Sequence, residues 1–136
     1  MTNTITNTRI LNGPRTVIQY FNLVSDGTNE TDTVVYDSSA VAAAYGKADP
    51  LTSTIKKVYF TSAGSGLLVR LEWDATTDVG ALSLPKFTGL KLDFTSFGGL
   101  PNQGGAGKTG DITITTGSLT SGDSFTLILV VDPGYV

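Results

Sequence analysis

In Leu67-Leu68-Val69-Arg70-Leu71-Glu72-Trp73 the apolar side chains Leu67, Val69, Leu71 and Trp73 fall on one face of an extended chain, and Arg70 and Glu72 fall on the other. A helix would scatter this set around its circumference, so the segment reads as a central strand with its charged face outward. Phe125, Leu127, Leu129 and Val131 repeat every second residue in the same way. Ser124 and Thr126 lie opposite them, but so do Ile128 and Val130, so this strand is either covered on both faces or meets a neighbour.

The same reading makes strands of Arg15 to Ser25, Thr33 to Tyr36, Ile55 to Thr61, Leu90 to Thr95 and Asp111 to Thr116, about seven in all. Turn residues such as Asp26-Gly27, Ala63-Gly64-Ser65-Gly66 and Ser121-Gly122-Asp123 separate them. The 21 threonines support sheet, since a β-branched side chain suits a pleated, half-buried surface. Only Ser38-Ser39-Ala40-Val41-Ala42-Ala43-Ala44-Tyr45 has helical composition, with Asp37 or a serine to cap its first amides, Gly46 to end it and Pro50 to forbid continuation. The expectation is an all-β fold, an antiparallel β-sandwich or jelly roll with one short helix near 38–45. Residues 1–12 read as an N-terminal arm and 13–136 as a single domain.

Composition excludes several functions. The chain has no histidine and no cysteine, which removes the commonest general base, zinc ligands and disulfides. Charged residues are 15% of the chain, against roughly 25% in an average soluble domain, and the net charge is −3. The basic residues are scattered, with Lys56-Lys57 the only adjacent pair, so a nucleic-acid partner is not expected. No apolar run approaches the roughly 18 residues needed to cross a bilayer, and the start of the chain lacks a signal-peptide pattern, so no membrane partner is expected either.

Four motifs invite a chemical reading. Gly104-Gly105-Ala106-Gly107-Lys108-Thr109-Gly110 resembles a phosphate-cradling loop, but Asn102 stands where that pattern needs its first glycine, and a strand rather than a helix follows. The stretch Asp26-Gly27-Thr28-Asn29-Glu30-Thr31-Asp32 alternates oxygen-bearing side chains as calcium loops do, yet it lacks the glycine and distal glutamate of an EF-hand and reads as a solvated turn. Glu72, Asp74 and Asp78 could supply a carboxylate pair for glycoside hydrolysis, but nothing completes such a site. Trp73 reads as core with a partner for its indole N–H, the sharper alternative being a sugar-stacking platform with Tyr20, Tyr36, Tyr45 and Tyr59. No enzyme, cofactor or metal site is expected.

Two segments read as contact surfaces. Thr2 to Thr8 is too polar for a core but alternates like a strand that adds to a neighbour's sheet edge. The loop from Phe97 to Gly110 is long for a hairpin and is expected to order against a partner. Thr4, Ile5, Thr6, Arg9 and Ile10 in the first segment, and Leu100, Asn102, Gln103 and Lys108 in the second, are the candidate interface residues.

Arg9-Ile10-Leu11-Asn12-Gly13-Pro14-Arg15, Leu71-Glu72-Trp73-Asp74-Ala75-Thr76-Thr77 and Phe94-Thr95-Ser96-Phe97-Gly98-Gly99-Leu100, the last continuing through Asn102 and Gly107-Lys108-Thr109-Gly110-Asp111-Ile112, resemble a family of tailed-bacteriophage capsid cement or decoration proteins. The resemblance implies a β-sandwich of jelly-roll type that binds the outside of the assembled head and bridges its subunits. It also implies the major capsid protein as partner, a homo-oligomer (dimer or trimer), and a place on the virion exterior after synthesis in the host cytoplasm. A head fibre or tail component would make nearly the same demands on sequence.

Overall fold

The structure, a computed structural model, describes residues 3–12, 16–44, 46, 53–64, 67–84 and 89–133. Thr2, Arg15, Tyr45, Pro50 and the Ser65-Gly66 part of one expected turn lie outside the described residues, as does the Gly13-Pro14-Arg15 end of the first family-like stretch.

Two antiparallel sheets form an all-β sandwich. The larger runs in the spatial order β1 (Thr4–Asn12), β2 (Val17–Val24), β10 (Ser124–Asp132), β4 (Thr54–Ala63), β7 (Leu90–Asp93), with the two-residue β8 (Leu100–Pro101) also on β4. The smaller runs β3 (Thr33–Tyr36), β9 (Ile112–Gly117), β5 (Leu68–Trp73), β6 (Val79–Leu84). Their inner faces supply one continuous core. Val17, Phe21 and Leu23 on β2, and Phe125, Leu127, Leu129 and Val131 on β10, are buried at every second position, except that Gln19 takes the remaining inner place on β2. Val69, Leu71, Trp73, Ile112 and Ile114 face them from the smaller sheet. Leu127 stands in register with Phe21 on one side and Phe60 on the other. Phe125 stacks on Phe21 at 5.9 Å between centroids and meets Phe60 at 5.8 Å.

Three expectations are corrected. Trp73 is fully buried, but its indole Nε1 has no hydrogen-bond partner; its cross-strand neighbours Val79 and Ile112 are apolar, so its row offers no acceptor. Full burial of Trp73 and Tyr36 also removes both from any exposed stacking platform. The expected count of strands omits β1, read as an arm, the two-residue β8, and β6, where Gly80, Ala81 and Ser83 dilute the strand signal; pairing to β5, with a bulge at Leu71/Glu72, supplies for β6 what local propensity does not.

The helix α1 (Ser38–Ala43) begins where Asp37 accepts hydrogen bonds from the amides of Ser39 at 3.0 Å and Ala40 at 3.2 Å, and from the Ser39 hydroxyl at 2.6 Å. The Ser39 hydroxyl first, then the two amides against some desolvation, hold the Asp37 carboxyl below its ordinary value of 3.8. Ser38 anchors the helix to the start of β9, since its amide and hydroxyl both donate to Asp111 Oδ1, at 2.8 and 2.9 Å.

Leu127→Ala removes the side chain at the centre of the stack and is expected to lower unfolding free energy by about 2–5 kcal/mol. Urea denaturation measures this, and a loss below about 1 kcal/mol contradicts the packing described. Asp37→Ala should cost about 1 kcal/mol at neutral pH through loss of the cap. Because the folded carboxyl titrates below its unfolded value, that contribution is complete above the ordinary carboxylate value and disappears as pH falls through the folded one. The gap between wild type and Asp37→Ala in pH-dependent melting should close on acidification, and a gap that persists contradicts the assignment.

Candidate functional site

The residues expected to form an arm are stitched to their own body. Along β1, Ile5, Asn7 and Arg9 stand opposite Leu23, Phe21 and Gln19 of β2, while Thr4, Thr6 and Thr8 stand opposite Val24, Asn22 and Tyr20. Asn7 reaches across to the smaller sheet, its Nδ2 donating to the carbonyls of Val34 at 3.3 Å and Val35 at 3.2 Å, and its Oδ1 accepting from Gln19 Nε2 at 2.5 Å. Asn3 does the same for the loop after β2, donating to the Thr28 carbonyl and Glu30 Oε1 and accepting from the Asp26 amide. What β1 leaves for a partner is its other edge, which no strand among the described residues occupies.

That edge differs from the other sheet edges. β1 is nine residues long with Arg9 its only charged residue, whereas the edge strands β3, β6 and β7 have four, six and four residues, and β7 carries Lys91 and Asp93. Short length and charge are how proteins blunt an edge, and β1 has neither in full. A bulge between Arg9 and Leu11 turns Ile10 outward, 60% exposed. Of the seven exposed large apolar side chains among the described residues, four (Ile5, Ile10, Leu11, Val24) are on β1 and β2.

Beside this edge, the outer face of the larger sheet carries a flat apolar band. Cross-strand register sets Leu11, Ile18 and Val130 in one row, which continues to Lys57 and Asp93, an ion pair at 3.9 Å. The next row is Thr8, Tyr20, Ile128, Tyr59 and Lys91, with the Lys91 ammonium 5.6 Å from the centre of the Tyr59 ring. Beyond it lies a polar row of Thr6, Asn22, Thr126 and Thr61, where Asn22 donates to Thr126 Oγ1 at 2.9 Å. Ile18, Tyr20, Tyr59, Ile128 and Val130 are half-buried, and no strand or helix among the described residues lies over this side of β10. An apolar centre with a polar and charged rim is the anatomy of a docking surface.

Thr4, Ile5, Thr6, Arg9 and Ile10 therefore share one edge. Leu100, Asn102, Gln103 and Lys108 do not join them. Leu100 pairs with Ile55 in β8, four strand spacings from β1 across the larger sheet, roughly 19 Å at 4.8 Å per spacing. The long loop is organised by its own chain: a 3₁₀ turn at Thr95–Phe97 leads through Gly98 and Gly99 into β8. Gly99 has φ of 102°, and a Cβ there would meet Thr54, Lys56 and the Ile55 carbonyl. Asn102 Oδ1 accepts from the Gly104 amide at 2.7 Å, and Gln103 Nε2 donates to the Pro101 carbonyl at 3.4 Å. Farther on, the Thr76 amide donates to the Ala106 carbonyl, and Thr109 donates through its amide and hydroxyl to the carbonyl and carboxylate of Asp74. Two family-like stretches, 71–77 and 107–112, thus pack on each other.

The acidic residues regroup. Asp74 turns to Thr109, whereas Glu72 and Asp78 are joined by Asp32, from the loop before β3. Glu72 does point away from the core, but it is not on an open face: it is 9% exposed, with Thr115 Oγ1 donating to its Oε1 at 2.6 Å and Arg70 Nε 4.0 Å from its Oε2. The Asp78 carboxyl first, then desolvation and Glu72, push Asp32 above the ordinary carboxylate range. Sequence reading put Asp32 in the Asp26–Asp32 turn rather than with Glu72 and Asp78, and it missed Leu11, Ile18, Tyr20, Tyr59, Ile128 and Val130 as one face, because cross-strand register is a property of distant segments. The only local signal was apolar residues on both sides of β10. No known protein-family model and no curated protein sequence matches the chain.

Proposed function

We propose that the chain is a structural virion module, a cement protein that binds the outside of a phage capsid and bridges its subunits. The observation that carries a docking role is the long, scarcely charged β1 edge continuous with the apolar band of Leu11, Ile18, Val130, Tyr20, Ile128 and Tyr59. The resemblance of three stretches to capsid cement proteins supplies the identity of the partner. In this reading the band lies on the major capsid protein, and the β1 edge adds to a strand of the shell or of a sister subunit in a dimer or trimer. Contacts available only on the assembled shell stabilise that state by mass action.

Purified protein should co-sediment to saturation with heads that lack it and raise their resistance to heat. Tyr20→Ala, removing a band aromatic, should weaken binding by about 30-fold, the effect of losing about 2 kcal/mol at a hot spot. Its own melting temperature reports whether the fold is kept. Heads that are equally heat-resistant with and without the protein, or a folded Tyr20→Ala that saturates them at wild-type concentration, contradict the proposal. Binding to tails or fibres instead of heads would favour the other virion reading.

A further inference from the structure

On the outer face of the smaller sheet, away from the docking band, three carboxylates from three separate segments converge. We propose that Asp32, Glu72 and Asp78 form a binding site for a hard divalent cation, calcium in preference to magnesium.

One ligand oxygen from each residue lies within 4.8 Å of the others. That is close enough for a single ion to touch all three carboxylates. Three carboxylates on one ion suit calcium, which takes six to eight oxygens in flexible geometry, better than magnesium, which demands a near-ideal octahedron and is usually held by one or two carboxylates. The chain has neither histidine nor cysteine, so the donors are all oxygen, which favours hard cations over zinc or copper. Asp32 is exposed and Asp78 half-buried, leaving room for water to complete the coordination.

Asp32 enters from the loop before β3, where its amide donates to Thr115 Oγ1 at 3.2 Å. Glu72 stands on β5, and Asp78 closes the turn into β6 with its Oδ1 accepting from the Ala75 amide at 3.1 Å. Arg70, 4.0 Å from Glu72, is the one basic partner in an ion pair with the group among the described residues, and its side chain is 55% exposed. One loosely held cation leaves three converging carboxylates with excess negative charge.

A second observation is independent of the acidic residues. Thr113 stands directly opposite Glu72 in the β5–β9 register, hence on the same side of the sheet, and is 1% exposed. Its hydroxyl has no hydrogen-bond partner. A buried polar atom without a partner is uncommon and asks for an explanation. A water carried by a cation held between Glu72 and its neighbours would give that hydroxyl its partner, so the orphan and the charge excess share one remedy.

The test is thermal melting of the full chain in chelator and then in calcium chloride or magnesium chloride, with calorimetric titration of each ion. Calcium at about 10 mM should raise the melting temperature by on the order of 5 °C, with about one ion per chain, and magnesium should act far more weakly. Asp78→Asn keeps an acceptor for the Ala75 amide but removes a charge, and should need at least about 10-fold more calcium. The double substitution Asp32→Asn with Asp78→Asn should abolish the response while melting in chelator no lower than wild type, because it also relieves repulsion. No response of the wild type to calcium, an equal response to magnesium, a response that survives in the double variant, or a double variant that melts well below wild type in chelator would each overturn the proposal.

Discussion

β10 carries apolar side chains on both of its faces, and only one face has another sheet to pack against. The inner row from Phe125 to Val131 is buried and joins Phe21, Phe60 and the smaller sheet in the core. On the outer side Ile128 and Val130 are half-buried among Tyr20, Tyr59 and Ile18, with no layer above them among the described residues. Because apolar surface gains by leaving water, a band of this kind is the surface that the proposed partner would cover. Its position in the middle of the larger sheet makes it rigid, since β2 and β4 clamp β10 along nearly its whole length. The β1 edge, which no strand among the described residues pairs with, prolongs the same surface.

Much of this architecture is legible in the amino-acid sequence. Period-two patterns mark β2, β5, β9 and β10 because one face of each is packed in the core, and burial writes that period into the side chains. β3 falls on Thr33–Tyr36 as expected, and Asp37 and Gly46 bracket α1. β6 and β8 leave little local trace: Val79–Leu84 is stabilised by its pairing to β5, and Leu100–Pro101 by two positions on β4. Neither contact is written in neighbouring residues.

The surfaces are harder to read. The first twelve residues alternate as a strand should, but that alternation does not say whether the strand belongs to its own sheet or to a neighbour. Asn7 decides it by bonding the carbonyls of Val34 and Val35. Likewise the acidic triplet close in sequence, Glu72, Asp74 and Asp78, is not the triplet close in space. Thr109 draws Asp74 to one side, and Asp32, some forty residues earlier, takes its place. Long-range register placed both, and a single sequence carries register only through the turns and hydrophobic pattern that set it.

The proposed attachment of this chain through β1 and its adjoining face is tested most directly by amide hydrogen exchange, comparing the free protein with the protein on phage heads. The β1 amides that do not face β2 should exchange rapidly in the free chain and become strongly protected in the complex, with Tyr20 and Ile128 solvent-shielded alongside them. Equal exchange of those amides in the two states, with protection appearing on the smaller sheet instead, would contradict the account.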